Sequence, residues 1–257
     1  MPAPGPGVCL VCCGPAARGP ALCFACRSVA RQLGVPLAPV VPVRVCPLPS
    51  PLYAVLMGYK ESPVAEARGR FAPLVRDLLG SFLVAHGPCV AAAAGGLIDH
   101  VLAVPSTARP DGPPLATLEG LAAAVSVALP GACWAPGLLR RSRSPEPPAT
   151  FGHMRPDARA FEVAPAGGRA GTVTLRGTRA LLLDDTYVSG ARAQSAAAAL
   201  RLAGVAAVAI VPAGRVLRPE RSAAHDAFLQ AHRAPPGPGA DPLQRCARCV
   251  QVAAPTE

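Results

Sequence analysis

Lysine is almost missing from this chain: Lys60 is the one lysine among 25 basic residues. Aromatic residues make up only 4% of the sequence, so alanine, leucine and valine must fill whatever core forms. No apolar run reaches about 18 residues without a charge, which excludes an obvious membrane span. The best candidate, residues 88–105, is broken by Asp99 and His100. The opening "MPAPGPGVCLVCCG" has no basic start followed by an apolar stretch, so no secretory signal is expected and the predicted location is cytoplasmic. Two phosphate-binding signatures are absent as well. There is no GK[ST] end of a Walker A loop and no G-x-G-x-x-G of a dinucleotide fold. His86, His100, His153, His225 and His232 show no convergent spacing and receive no role. Basic and aromatic residues are not interleaved as a base-stacking groove requires, so Trp134 and the tyrosines read as packing residues.

What is present suits one α/β domain with small appendages: 257 residues, 51% of them apolar. Thirty-two prolines, 25 glycines and arginine in place of lysine fit a high-GC coding bias. The net charge of +10 nevertheless makes the surface attractive to phosphates, and nucleic acid stays open as a partner.

Ten cysteines in a cytoplasmic chain call for an explanation other than disulfides. Six fall into C-x-x-C pairs: Cys9/Cys12, Cys23/Cys26 and Cys246/Cys249. In "CLVCCGPAARGPALCFAC" two such knuckles can turn four thiolates toward one point, as in a closed tetrahedral zinc site. With no open position, that zinc is structural. The ten-residue spacer is shorter than the common spacing of about 15–20 residues. Cys13 beside Cys12 leaves open which of the two is the ligand.

Further along, helices are predicted at about 50–59 and 64–85, the second with Pro73 as its candidate break, from the helical recurrence of Leu74, Leu78 and Phe82. "DHVLAVPST" (99–107) reads as a buried strand ending in a loop, and "ACWAP" as a short strand. A helix is expected through "LATLEGLAAAVSVAL". Residues 140–160 carry five arginines and four prolines with almost no apolar pattern, a basic loop. It is either a solvated surface segment or a mobile lid over an anion. "GTVTLRGTRALLLDD" reads as two strands around a turn at Arg176–Thr178, and "VAAVAIVPAGRVL" (205–217) as another buried strand after a helix ended by Gly204. Strand, loop, helix, strand makes a βαβ unit and hence a parallel sheet.

The most informative stretch is "ALLLDDTYVSGARAQSAAAALRLAG" (180–204). An apolar strand runs into Asp184 and Asp185, followed by a hydroxyl- and glycine-bearing turn and a helix start. Parallel sheets bind ligands beyond the carboxyl ends of their strands. The first N–H groups of the helix are unpaired and its dipole favours an anion. Carboxylates accept hydrogen bonds from a sugar diol, and the turn holds a phosphate about one sugar away. The predicted ligand is a ribose 5-phosphate unit. Tandem aspartates alone often merely cap a helix; the whole combination is more specific.

"ALLLDDTYVSGARA" resembles the phosphoribosyl-pyrophosphate loop of type I phosphoribosyltransferases. With the cysteine knuckles ahead of it, the chain resembles the ComF/amidophosphoribosyltransferase-like family. The resemblance implies an α/β fold with a parallel-sheet phosphoribosyltransferase-like domain and a small zinc-ribbon-like amino-terminal segment. Asp184 and Asp185 would bind the ribose hydroxyls, and Thr186, Tyr187, Val188, Ser189, Gly190, Ala191 and Arg192 would wrap the 5-phosphate. Ser106 and Thr107 of "VPST" would lie on the pyrophosphate side with Arg109, and Lys60 is assigned there too. Magnesium would enter with phosphoribosyl pyrophosphate.

The sequence departs from the family pattern in several places. Val188 and Arg192 replace turn threonines, no R-G-[FY]-N run follows "VPS", and the second amino-terminal knuckle pair is missing. Cys246 and Cys249 either substitute for it or complete the amino-terminal site. The implied division is residues 1–45 as knuckle segment, 46–233 as phosphoribosyltransferase-like domain, and 234–257 as linker and C-x-x-C tail.

The implied reaction transfers a phosphoribosyl group to a nitrogen acceptor and releases pyrophosphate. A glutamine-dependent subtype is set aside, because the chain begins Met1-Pro2-Ala3 without a leading cysteine. The alternative is a non-catalytic module acting in DNA uptake through single-stranded nucleic acid or a protein partner.

Overall fold

The computed structural model describes residues 4–16, 21–105, 115, 118, 120–142, 155–164, 175–231 and 246–249. The knuckle segment leads into helix α1 (Phe24–Leu33), which Cys23 caps by accepting from the Cys26 amide and Gly34 ends in the left-handed region. Strand β1 (Arg44–Pro47) follows, then α2 (Pro51–Glu61), started by the Ser50 hydroxyl and Pro51. After α3 (Ala65–Ala93) come β2 (His100–Ala103), α4 (Leu121–Ala128), β3 (Cys133–Trp134), β4 (Leu139–Arg141) and β5 (Phe161–Val163). The chain continues through β6 (Arg179–Tyr187), α5 (Ala191–Leu202), β7 (Ala207–Leu217) and α6 (Ala223–Ala231).

Five strands form one sheet in the order β1-β7-β6-β2-β3, and every neighbouring pair is parallel. The α/β class with a parallel central sheet is therefore as the sequence indicates. Period-two alternation divides β6 and β7 between two cores. Leu181, Leu183, Ala209 and Val211 join α2, α3 and α4 on one face. Ala180, Leu182, Val208 and Ile210 join α5 and the amino-terminal cysteines on the other. Leu181, Leu182 and Leu183 are fully buried, each worth about 1.5–3 kcal/mol relative to exposure. The alanines of α5 keep that helix close to the sheet; from Ala193 to Leu200 every residue is buried.

The crossovers from β2 and β6 leave in opposite directions. β2 leads through α4 to β3 on one side, while β6 leads through α5 to β7 on the other. The carboxyl ends of β2 and β6 thus flank the switch point at which such sheets form their binding crevice. The Val104 amide donates to the Leu183 carbonyl at 2.9 Å, which puts the exit of β2 directly beside the aspartates.

Two expectations are corrected. The second predicted helix does not break at Pro73: α3 passes it and departs from helical geometry at His86 (φ −128°, ψ 15°), two residues before Pro88. Proline removes a helical N–H and crowds the preceding turn. Between them, Gly87 lies so close to α4 that a Cβ would sit 2.6 Å from the Ala128 carbonyl oxygen. The basic loop at 140–160 is also not wholly irregular, since β4 and β5 pair antiparallel across it. Arg141 faces Phe161 there, its guanidinium 5.7 Å from the ring centre. Helix α3 is long and apolar enough to cross a membrane by length and composition, yet half of its most apolar window is buried within the protein. The first strand of "GTVTLRGTRALLLDD" and residues 234–242 lie outside the described residues.

Candidate functional site

Beyond the end of β6 an open cavity is lined by Asp184 and by Thr186 through Ala193. Gly190 is the amino-terminal cap of α5, with φ +85°. A Cβ there would lie 2.1 Å from the Tyr187 hydroxyl, so only glycine permits this turn. Ser189 Oγ accepts from the Ala191 amide at 3.3 Å, inside the first turn of the helix.

The two aspartates take different places. Asp184 lines the cavity and accepts from the Asp185 amide at 2.9 Å. Burial first, and the neighbouring Asp185 charge second, push its carboxyl up to about 7; Arg192 and Lys60 oppose the rise. Asp185 is not among the lining residues. Its Oδ2 accepts from the Tyr59 hydroxyl and from Lys60 Nζ, both at 2.9 Å, and its Oδ1 accepts from Thr186 Oγ1 at 2.8 Å. Lys60 therefore ties the end of α2 to the end of β6. Burial, then the Asp185 charge, holds the Tyr59 phenol well above its ordinary range, so it stays a donor.

Arg192 lines the cavity from the first turn of α5. Its charge acts on Arg141 of β4: burial, then the charge of Arg192, holds the Arg141 guanidinium below its usual range. A cation in the first turn of a helix, beside its unpaired amides, makes a favourable place for a phosphate. Tyr187 lines the cavity, but its ring lies in the core, and its hydroxyl accepts from Gln194 Nε2 at 3.3 Å. Ser106, Thr107 and Arg109 lie outside the described residues.

Behind the turn sits Arg215, a buried arginine of β7 that sequence reasoning passed over. Its Nη1 donates to the carbonyls of Tyr187 (3.0 Å), Val188 (2.7 Å) and Val216 (2.8 Å). In a trans peptide C=O and N–H point oppositely. Holding those first two carbonyls turns the Val188 and Ser189 amides away from Arg215. Its Nη2 donates to Cys12 Sγ at 3.6 Å, and its guanidinium lies 5.3 Å from the centre of the Tyr187 ring. An arginine inside the apolar run "VAIVPAGRVL" was the available signal.

Cys9, Cys12, Cys23 and Cys26 bring their sulfurs within 4.8 Å of one another, all buried, with Cys12 and Cys23 3.7 Å apart. Four sulfurs at about 2.3 Å from a zinc ion lie about 3.8 Å from each other, so the set fits a tetrahedral site. Mutual hydrogen bonding holds Cys9 and Cys12 below the ordinary thiol range and pushes Cys23 and Cys26 above it. Sulfurs packed in this way need a cation between them before all four can ionise. Cys13 is settled as a non-ligand: it has φ +53° and its thiol donates to the Val40 carbonyl at 3.6 Å. Cys246 and Cys249 do not complete this cluster. They meet His86 and Cys89 of α3 in a second group of four potential ligands. His86, left without a role by its sequence spacing, belongs to that group.

No family model matches the chain, and no curated relative matches it. Among solved structures it is similar to phosphoribosylpyrophosphate synthetase from Mycobacterium smegmatis, at 15% identity and a TM-score of 0.29, over 62% of this chain and 51% of that one. The chain thus spans about half the length of that synthetase.

Proposed function

We propose that the cavity at the end of β6 binds the ribose 5-phosphate part of phosphoribosyl pyrophosphate, and that the chain transfers the phosphoribosyl group to a nitrogen acceptor with release of pyrophosphate. The observation that carries this reading is the pairing, in one cavity at the sheet's switch point, of Asp184 with the start of α5 and Arg192. Asp184 would accept from a ribose hydroxyl. Amides of the Ser189–Arg192 turn would hold the 5-phosphate, with Arg192 and Arg141 balancing its charge. Asp185 is a positioning residue in this account, since Tyr59, Lys60 and Thr186 occupy its oxygens. Magnesium bound to the donor's pyrophosphate would help that group leave. The protein's task is orientation and charge placement, so no nucleophilic side chain is required. Zinc at Cys9, Cys12, Cys23 and Cys26 would be structural, holding the knuckles against Arg215 and so supporting the turn from behind.

Calorimetric titration with phosphoribosyl pyrophosphate and magnesium tests the binding step. Saturable binding that falls at least tenfold in Asp184→Asn supports it, and no heat at millimolar donor overturns it. Pyrophosphate release with a panel of bases and amines then tests turnover. A second reading, a non-catalytic module for DNA uptake, is favoured by the charge of Arg192 acting on Arg141, a pair of cations that suits any phosphate ester. It predicts single-stranded DNA binding that weakens steeply with salt, without pyrophosphate release.

A further inference from the structure

The carboxy-terminal "CARC" segment comes to rest on α3. His86 and Cys89 are three residues apart on that helix, a spacing that places both on one face. At His86 the backbone leaves helical geometry, so the imidazole projects from the kink itself. Four ligand atoms converge there within 4.8 Å: the His86 nitrogen and the sulfurs of Cys89, Cys246 and Cys249. Cys249 Sγ lies 3.4 Å from His86 Nδ1, 3.4 Å from Cys246 Sγ and 3.8 Å from Cys89 Sγ. Those separations are the edges of a tetrahedron around an ion with metal–sulfur bonds of about 2.3 Å and a metal–nitrogen bond of about 2.0 Å. The knuckle is built as metal knuckles are, with backbone amides turned onto sulfur. The Cys246 amide donates to Cys249 Sγ at 3.2 Å and the Arg248 amide to Cys246 Sγ at 3.4 Å.

We propose that His86, Cys89, Cys246 and Cys249 form a second zinc site, separate from the amino-terminal four-cysteine site, that fastens the carboxy-terminal knuckle to the kink of α3. Three thiolates and one imidazole are a closed, borderline-soft set that suits zinc, and no position is left for substrate, so the site is structural. Binding replaces three thiol protons, released to solvent, while His86 enters neutral through Nδ1. The consequence reaches past α3. Between the two cysteines, Ala247 packs with Val8, Cys13, Leu217 and Phe228, and Arg248 Nη2 donates to the Leu10 carbonyl at 2.8 Å. The staple therefore presses one short segment against the helix, the end of β7 and the amino-terminal knuckle at once. Nothing here depends on the sugar-phosphate reading.

The test is zinc stoichiometry by elemental mass spectrometry on the full chain, purified under reducing conditions and supplied with zinc alone. Cys246→Ser/Cys249→Ser should hold one zinc fewer per chain than the unchanged protein, whatever the filling of the amino-terminal site. An unchanged count overturns the proposal, and so does a Cys246–Cys249 or Cys89–Cys249 disulfide found by peptide mapping of a second sample purified without reductant and alkylated before digestion. His86→Cys covers the case in which the double variant does not fold. It should keep the full zinc count. With cobalt(II) exchanged for zinc, its sulfur-to-metal charge-transfer absorption should rise by the contribution of one added thiolate. A spectrum identical to that of the unchanged protein would refute His86 as a ligand.

Discussion

Replacing Arg215 with methionine tests how the turn after β6 is held. Methionine keeps much of the side chain's bulk and removes the charge and all donors. The structure predicts the loss of three bonds to carbonyls, at 2.7–3.0 Å, and of the contact to Cys12. Arg215 is 3% exposed, so water does not readily replace it. A hydrogen bond from a charged donor is worth about 1.5–3 kcal/mol, but such terms overlap when one group makes them all. Leaving a buried acceptor without its donor costs about 1–3 kcal/mol; with three carbonyls released and the terms overlapping, the expected loss is about 3–5 kcal/mol. Against a typical stability of about 5–15 kcal/mol, it lowers the melting temperature by roughly 6–20 °C in a chain of this size. Arg215→Lys should fall between, since an ammonium keeps the charge but not the planar fork that spans carbonyls and sulfur. Zinc-loaded protein unfolded in urea gives the measurement. A loss under about 1 kcal/mol for Arg215→Met would refute the view that this guanidinium holds the turn.

Three more perturbations follow from the same geometry. Asp184 has its carboxyl raised to about 7, so the folded state binds more protons than the unfolded one between the ordinary aspartate value and pH 7. Its contribution to stability is therefore lost as pH rises through that window. Urea midpoints from pH 4 to 8 should show the Asp184→Asn variant gaining on the unchanged protein; parallel curves would contradict it. Gly190→Ala places a methyl against the Tyr187 hydroxyl in a left-handed conformation. It should cost at least about 1–2 kcal/mol and abolish sugar-phosphate binding by calorimetry. Lys60→Met leaves Asp185 with Tyr59 and Thr186 as donors, and should cost about 3–5 kcal/mol by urea unfolding. A double-mutant cycle with Asp185→Asn should show coupling above about 1 kcal/mol.

The central strands were legible because β6 and β7 are buried on both faces and so read as continuous apolar runs. The turn between β6 and α5 was legible because each residue serves a local need: Gly190 for its backbone, Ser189 for the first helical turn. What stayed hidden was what the chain brings together from afar. Asp185 and Lys60 are 125 residues apart, and nothing near either names the other. His86 has one companion, Cys89, on its own helix, and the other two arrive with the carboxy-terminal knuckle, so no local spacing reveals the set. Pro73 gave a false signal for a break that falls at His86, where Gly87 lets α3 press onto α4. The β4–β5 pair escaped notice because three-residue strands are too short to show alternation.

The most direct test of the account is a nuclear magnetic resonance titration of isotope-labelled protein with ribose 5-phosphate, following the backbone amides. The account predicts saturable shifts centred on Ser189, Gly190, Ala191 and Arg192, lost in Gly190→Ala. Saturable shifts that leave those four amides unmoved, or no saturable shift at all, would contradict it.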